Sequence, residues 1–494
     1  MRTRLTLAAL LLATSAAQAQ LQAPPASADS ATRPALPGGV PVRRISTASA
    51  VSTEPLGVIT SVRELPDGRV LLNDGARRRL LLMDTTLKTV GVVLDSLAEV
   101  ENTYGTRQGT LIPYRGDSTL FVDPASFVML VLDPQGKVAR VRSVPRVQDV
   151  GWLTGQQGGS SASVGADARG RLVYRIPARP ARPTVAPPRG VPWFPQEPDS
   201  AFIVAMDLDT RTQDTVGAIR IPKTSYVVRR QGDGGINVFN VINPMPMTDD
   251  WAVLPDGSVA FVRGIDYRID YLNPDGTRTA GPKLPFDWQR MTDADRERLV
   301  DSVKSAQRRS AVGNYVTSMI RWVNSYGKAY PAGFTIPEGY SMPLGFARSW
   351  KLPPGASFPQ RYVYACAADE EPKMTGTTPS CIPAPIVGGG GNTPSMPTMR
   401  EPSVVDPAEL PSFRPPFATN AVRADADGNL WIRPTLPKPV PGGPVYDVVD
   451  RKGVLVDRLQ LPPGYQLAGF GRGRVVYLSM RDASGVHLAR VRLR

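Results

Sequence analysis

The sequence predicts an all-β fold assembled from repeated four-stranded antiparallel units. Three observations support this: a strand–turn–strand pattern recurs six times, a second hairpin follows most copies, and turn residues are abundant. Gly and Pro contribute 45 and 50 of the 494 residues, so the chain should turn often and form few long helices. A hydrophobic share of 41% and a charged share of 21% are typical of globular proteins and exclude a disordered chain or a coiled coil.

The first hairpin of each unit has a Gly-containing turn between two runs of strand-forming residues. Asp67-Gly68 and Asp256-Gly257 are examples, because Asp-Gly supplies the positive φ angle of a tight hairpin. β-branched and aromatic residues, which favour strands, flank these turns. The six copies cover residues 62–73, 111–122, 164–174, 252–262, 421–432 and 468–478.

A second hairpin in most copies completes four strands, A to D, in each unit of roughly 40–45 residues. This period and strand count are typical of the blades of a β-propeller, and a β-sandwich with chance Asp-Gly turns is the alternative. The sixth copy shows strands A to C and then reaches Arg494. We expect residues 40–47 to supply its outer strand, because a strand from the other end of the chain removes two exposed sheet edges.

With these six hairpins, notably the turn and strand that contain Asp425, Gly428 and Trp431, the chain resembles the six-bladed β-propeller superfamily that includes NHL-repeat proteins. More narrowly, it is similar to the exported, uncharacterised bacterial members. The resemblance covers about residues 50–490 apart from one insertion. It implies a six-bladed β-propeller of four-stranded antiparallel blades and almost nothing about activity, since propellers host many functions. A seventh blade near residues 362–365 is an alternative that no hairpin pair supports.

The long connections of the predicted propeller are B–C loops or D-to-A crossovers, which lie on one face of the disc. The longest is the insertion 286–416 between blades four and five, which should open with a helix over about 292–309 and continue as a Pro- and Gly-rich segment. Thr292 would cap this helix, with Asp295 as a capping-box variant. Because loops on a rigid scaffold carry function, we expect a ligand on this decorated face. The candidate residues there are Trp152, Trp193, Trp288, Arg179, Arg182 and Arg189.

Residues 1–19 have the features of a secretory signal peptide: Arg2 and Arg4, an apolar run, and small residues at 17 and 19. The mature chain would then start at Gln20, with a flexible linker over 20–39 and the propeller over 40–494. No other stretch approaches the about 18 apolar residues of a membrane span, so we expect a periplasmic or secreted monomer without a transmembrane segment. In that oxidising compartment Cys366 and Cys381 should form a disulfide, and two free thiols are the alternative.

The net charge of +14 comes from 48 Arg and 10 Lys residues spread along the chain, so we expect no nucleic-acid partner. The single His, His487, excludes sites built on several histidines, and it lies in a strand pattern. No Gly-x-Ser-x-Gly motif is present. The sequence therefore favours a non-catalytic binding scaffold of the cell envelope, with no cofactor and with a protein, peptide or carbohydrate partner.

An enzyme is the alternative function. The resemblance implies that a gluconolactonase-like hydrolase would hold a divalent cation such as calcium in the central channel through carboxylates and an Asn, which requires no His. Glu64, Asp249 and Asp250 lie near A strands and are candidates, although roles as solvated turn residues also suit them.

Overall fold

A computed structural model describes residues 36–45, 48–96, 103–156, 160–176, 198–230, 236–337, 352–355, 370–375, 378–383, 396, 402–436, 440–482 and 484–493. Two short strands come first, β1 (Val42–Arg44) and β2 (Ala50–Val51). Blade one contains β3 (Ile59–Glu64), β4 (Val70–Asp74), β5 (Arg79–Met83) and β6 (Thr89–Leu94). Blade two contains β7 (Thr110–Pro113), β8 (Thr119–Asp123), β9 (Val128–Leu132) and β10 (Val138–Ser143).

The crossover to blade three contains the single-turn helix α1 (Val150–Leu153). Blade three contains β11 (Gly165–Ala166), β12 (Leu172–Arg175), β13 (Ser200–Met206) and β14 (Gln213–Arg220). A separate hairpin, β15 (Ser225–Arg230) and β16 (Ile236–Val241), follows. Blade four contains β17 (Asp250–Val253), β18 (Val259–Arg263), β19 (Arg268–Leu272) and β20 (Arg278–Lys283). The next connection holds α2 (Asp293–Tyr326) and a hairpin of β21 (Glu370–Thr375) and β22 (Thr378–Pro383).

Blade five contains β23 (Phe417–Ala424), β24 (Leu430–Pro434), β25 (Val445–Val449) and β26 (Leu455–Gln460). Blade six contains β27 (Gln466–Gly471), β28 (Val475–Arg481) and β29 (Val486–Arg492), with β2 as its fourth strand. The chain is therefore a six-bladed β-propeller with antiparallel blades, as the sequence predicts.

The N-terminal segment closes the ring at a position that differs from the predicted one. β1, which lies inside the predicted residues 40–47, pairs in parallel with β26 and becomes a fifth strand of blade five. The outer strand of blade six is β2, which pairs antiparallel with β29. The prediction that residues 40–47 complete blade six is therefore wrong. The physical reason is tertiary: Arg458 of blade five donates to the carbonyl of Val40, and Arg43 forms an ion pair with Asp457.

The hydrophobic core lies between neighbouring blades. β4, β8 and β25 are buried at every residue, because the second and third strands of a blade are covered on both faces. Leu65 and Leu71 of blade one pack with Leu111 and Phe121 of blade two. These contacts explain why the strands read as continuous apolar runs rather than as an alternating pattern.

Helix α2 begins where the sequence predicts and is longer than predicted. The Thr292 hydroxyl accepts from the backbone N–H of Asp295, whose carboxylate accepts from the backbone N–H of Thr292, so the capping box is complete. The helix ends at Tyr326 instead of about 309, and Gly327 caps it with a φ of 61°. Buried Val316 and Ile320 continue the apolar face past the predicted end. Neither helix of the described residues has an apolar stretch long enough to cross a membrane.

Short turns and long connections lie on opposite faces of the disc. In the described chain, the A–B and C–D turns contain three to six residues. The long connections are D-to-A crossovers and B–C loops, including the segment between Lys283 and Phe417. The A–B turns therefore form a low rim around one end of the central channel.

Candidate functional site

A cavity of about 750 Å³ follows the central channel and reaches the A–B turn face. The A strands of all six blades contribute to its wall, as do the A–B turns of blades two to six. Ser160 and Ala162, from the crossover before blade three, also line it. The volume lies within the range of roughly 300–1,000 Å³ that is usual for small-molecule sites.

The charged residues of the cavity wall are five arginines and four aspartates: Arg63, Arg115, Arg169, Arg423 and Arg472, and Asp117, Asp167, Asp256 and Asp425. Each aspartate has a protein partner. Asp117 pairs with Arg472, Asp167 with Arg171 at 2.8 Å, and Asp256 with Arg451. Asp425 accepts from the indole N–H of Trp431 at 3.1 Å. Protein groups therefore already engage the acidic side chains of the wall.

The Arg63 side chain makes no hydrogen bond or ion pair with another described residue. Its Nε is buried and has no hydrogen-bond partner among the described residues. Burial lowers the pKa of Arg63, and the nearby Arg472 lowers it further, whereas Asp117 and Glu64 oppose this shift. Arg63 remains charged, because an arginine pKa lies far above neutrality. The wall thus holds a partly buried cation with unused donors.

Arg423 of blade five lines the same cavity. Its Nη1 donates to the carbonyl of Leu467 in blade six at 2.9 Å, and burial lowers its pKa. Tyr114 of blade two adds a phenol whose Oη is buried without a hydrogen-bond partner in the described chain. The cavity wall therefore presents donors from three blades.

Glu64, a sequence candidate for a metal ligand, faces blade six instead of the cavity. Its carboxylate accepts from the hydroxyl of Tyr477 and from the backbone N–H of Arg472. A Cβ at Gly471 would lie 2.2 Å from the Glu64 carboxylate, so this position has no room for a side chain. Burial and the Glu64 charge raise the pKa of Tyr477, so its phenol remains a donor.

The other two candidate carboxylates, Asp249 and Asp250, also have structural partners. Asp249 accepts from Arg263 at 3.0 Å and from the backbone N–H groups of Arg220 and Gly264. Asp250 is buried and accepts from the backbone N–H groups of Trp251 and Val422. The hydrogen bond from Val422 joins blade four to blade five. Burial raises the pKa of Asp250 to about 7, although these N–H groups favour its charged form.

Glu64, Asp249 and Asp250 therefore do not form a cation site. Among the residues whose placement is described, no group of three or more His, Cys, Asp or Glu side chains is arranged to hold a metal. His487 is a strand residue, as predicted. Its Nδ1 lies 2.7 Å from the carbonyl of Ser52, and its Nε2 lies 2.8 Å from the hydroxyl of Ser484.

Two of the six residues predicted on the decorated face are described. The Trp152 ring is half-buried and stacks on the guanidinium of Arg175 at 4.5 Å. Trp288 is 37% exposed and contacts Phe286 and Phe413 edge to face. Neither residue lines the channel cavity. The other four lie outside the described residues: Trp193, Arg179, Arg182 and Arg189.

Several further predictions also lie outside the described residues. These are the signal peptide 1–19, most of the linker 20–39, and the segment that contains Cys366. Cys381 lies in β22, in a part of the chain whose side chains are not described. The disulfide therefore stays a prediction.

Sequence reasoning did not find Arg63 and Arg423, although they share a recognisable position. Each stands five residues before the turn glycine of its hairpin, Gly68 and Gly428. The equivalent residues of blades three and four, counted from their turn glycines, are the small Gly165 and Ala252. Blade two has Leu111 at the place counted from Gly116, so an arginine at a position that is uncharged in the other copies was the available signal.

No protein-family model matches the chain, and no curated protein matches it. Similar solved structures include an exported protein from Bacteroides fragilis with 12% identity and a TM-score of 0.28. That match covers 53% of this chain and 60% of the other, so the chain spans less than two thirds of that relative. A catalytically inactive virginiamycin B lyase from Staphylococcus aureus with quinupristin has 9% identity and a TM-score of 0.30, over 90% and 99% of the two chains.

A gluconolactonase from Xanthomonas campestris has 16% identity and a TM-score of 0.20, over 52% of this chain and 90% of the other. The similar solved structures are propeller proteins, some exported and some with the names of enzymes. At these identities and TM-scores, the similarity supports no statement about the activity of this chain.

Proposed function

We propose that this chain is an exported, non-catalytic binding propeller that holds a small ligand in its central channel at the A–B turn face. The observation that carries the proposal is the cavity of about 750 Å³ whose wall combines A strands from all six blades. Such a wall is rigid, because each A strand is hydrogen-bonded into its own blade. A rigid wall binds a ligand at a low cost in conformational entropy.

The low rim of the A–B turn face supports the same proposal. The A–B turns contain at most five residues, so a solute can reach the channel mouth without displacing a long loop. Turn residues of blades two to six reach the cavity and place polar groups around the mouth. Export itself rests on the signal-peptide features of residues 1–19 and on the Arg2 and Arg4 charges.

A second site on the decorated face remains a separate prediction. The exposed pair of Trp288 and Phe413 supports it, because aromatic side chains that are open to solvent suit sugars, peptides and apolar ligands. The channel proposal does not depend on this site, since Trp288 lies outside the cavity wall.

A metal-dependent hydrolase is the alternative function. The three candidate carboxylates do not support it, because Glu64 binds Tyr477 while Asp249 and Asp250 hold blade-four contacts. Metal analysis of the purified protein by mass spectrometry separates the two functions. One divalent ion per chain that resists dialysis would favour the hydrolase.

Binding can be tested by thermal shift with three probes of different chemistry: citrate, glucose and dialanine. We expect at least one probe to raise the Tm of the wild type. Ala168→Trp, which places an indole at the cavity rim, should abolish that shift. Pro66→Trp, in the blade-one turn outside the cavity wall, is the matched control and should retain it. A shift that persists equally in all three proteins, or no shift with any probe, would contradict a channel site.

A further inference from the structure

The geometry points to an oxyanion as the group that the channel recognises: we infer that Arg63 and Arg423 bind a carboxylate or phosphate group of the ligand. This inference rests on the proposed function and specifies the chemistry of the same site. Both residues belong to the cavity wall, and they come from blades one and five with blade six between them.

Arg63 has a donor from which no described residue accepts a hydrogen bond. Its Nε is buried without a partner, and the side chain forms no ion pair within the described residues. A buried guanidinium that lacks an acceptor is costly, and an oxyanion supplies the missing acceptors. The planar arrangement of guanidinium N–H groups matches the two oxygens of a carboxylate or phosphate.

The neighbouring acid does not neutralise Arg63 by direct contact. Glu64 precedes the turn on the same strand, but its side chain faces blade six and accepts from Tyr477 and Arg472. Successive residues of a strand point to opposite faces, so Glu64 and Arg63 are directed apart. The Arg63 charge is therefore available to a ligand in the channel.

Arg423 is fixed in place and still has donor capacity. A hydrogen bond from Nη1 to the Leu467 carbonyl anchors the guanidinium against blade six. The anchor is a neutral carbonyl, and no carboxylate of the described residues pairs with Arg423. A fixed guanidinium loses little entropy when it binds an anion, so it is suited to recognition.

The fold does not require a long cationic side chain at these positions. Blades three and four have Gly165 and Ala252 at the equivalent place before the turn glycine. A Cβ on Gly165 would lie 2.9 Å from Val253 of the next blade, so this position is directed toward the neighbouring blade and is tight there. Arg63 and Arg423 are therefore charged residues at a position where blades three and four have small ones, and both line the cavity.

The test is isothermal titration calorimetry of the full-length mature chain with two probes, inorganic phosphate and citrate, at constant ionic strength and neutral pH. Phosphate presents phosphoryl oxygens and citrate presents carboxylates on a carbon skeleton, so their relative affinity shows which of the two oxyanions the site prefers. Glucose is the neutral reference. The variants are Arg63→Gln and Arg423→Gln, and the control is Arg140→Gln on the exposed outer strand of blade two.

We expect phosphate or citrate to bind the wild type, with affinity reduced by about tenfold or more in each channel variant. Arg140→Gln removes the same charge and should change affinity by less than about twofold. Equal losses in all three variants would show a nonspecific charge effect and overturn the inference. If one channel variant unfolds, as judged by Tm, the other still decides the question.

The outcomes also separate this inference from the proposed function. If glucose or dialanine binds in a way that Ala168→Trp blocks, and neither phosphate nor citrate binds, the channel site stands and the oxyanion inference fails. If no probe binds at millimolar concentration, both fail. If phosphate or citrate binds and the affinity falls only in Arg63→Gln and Arg423→Gln, both are supported.

Discussion

Arg472 Nη2 lies 2.5 Å from Asp117 Oδ1, and this ion pair joins the A–B turn of blade six to the A–B turn of blade two. Blade one lies between them in the ring, so the contact spans the channel mouth beside Arg63. Asp117 is also the described acid that most opposes the lowering of the Arg63 pKa. The pair therefore holds the negative charge of Asp117 close to Arg63, the cation that we infer binds the ligand.

Asp117→Asn should strengthen oxyanion binding and leave the fold intact. The pair is exposed, with side-chain exposures of 62% and 41%, and such pairs contribute about 0–1 kcal/mol to stability. We expect the Tm to change by less than about 3 °C and the affinity for citrate to rise by roughly twofold or more, because one repulsive charge is removed. Asp266→Asn, an exposed acid outside the cavity wall, is the control. Weaker citrate binding to Asp117→Asn would argue against this arrangement.

Breaking the buried Arg458–Asp447 ion pair of blade five should lower the free energy of unfolding far more than breaking the more exposed Arg43–Asp457 pair. Arg458 Nε donates to Asp447 Oδ1 at 2.7 Å, and both residues are almost completely buried. Asp447→Asn leaves the Arg458 charge buried without a carboxylate, so the free energy of unfolding should fall by about 3–5 kcal/mol.

Asp457→Asn in the neighbouring strand β26 is the matched control, because Asp457 pairs with Arg43, whose side chain is 43% exposed. Its loss should be at most about 1 kcal/mol. Urea denaturation of both variants measures the difference. Similar losses for Asp447→Asn and Asp457→Asn would show that burial does not set the value of the pair.

Asp250 should make stability depend on pH between about 4 and 7. Burial raises its pKa in the folded chain to about 7 from an ordinary value near 3.8. Because the folded state binds this proton more tightly, the stabilising contribution is complete below about pH 4 and is lost as pH rises through 7.

The free energy of unfolding of the wild type relative to Asp250→Asn should therefore fall by roughly 4 kcal/mol between pH 4 and 8, since each pKa unit corresponds to about 1.4 kcal/mol. Denaturation of both proteins across this range provides the measurement. A difference that stays constant with pH would show that the Asp250 carboxyl titrates normally in the folded chain.

Ring closure should depend on the N-terminal strands. Ser52 donates from its backbone N–H to Leu488 O at 2.8 Å, and its hydroxyl accepts from the Leu488 N–H at 3.0 Å. A chain that starts at Glu54 lacks β1 and β2 and exposes the edge of blade six, so its Tm should fall by at least about 5 °C. The comparison is a chain that starts at Leu36. Equal thermal stability of the two chains would mean that closure contributes nothing.

The hairpins were predictable because their causes are local. Gly68 and Gly257 both adopt a φ of 84° in the A–B turns, as an Asp-Gly turn requires. The capping box of Thr292 and Asp295 is local in the same sense, so the start of α2 was predictable. Its end was not, because Val316 and Ile320 are buried against the irregular chain that follows the helix, including Phe334 and Leu352.

The closing strand and the channel residues depend on contacts between distant parts of the chain. Residues 42–44 and 50–51 both form strands, and their contacts with residues more than 400 positions away decide that 42–44 join blade five and 50–51 join blade six. Long loops directed attention to the decorated face, whereas the described cavity opens at the opposite face. Ring closure determines which A-strand side chains line the channel. A single sequence does not show directly how the ring closes.

Anomalous diffraction from crystals soaked in selenate tests the central claim most directly. Selenate is an oxyanion whose selenium can be located without phase bias. We predict a peak in the central channel with oxygens at hydrogen-bond distance from the Arg63 guanidinium, and loss of that peak in Arg63→Gln crystals. Selenate bound at surface arginines while the channel beside Arg63 and Arg423 contains none would contradict the account.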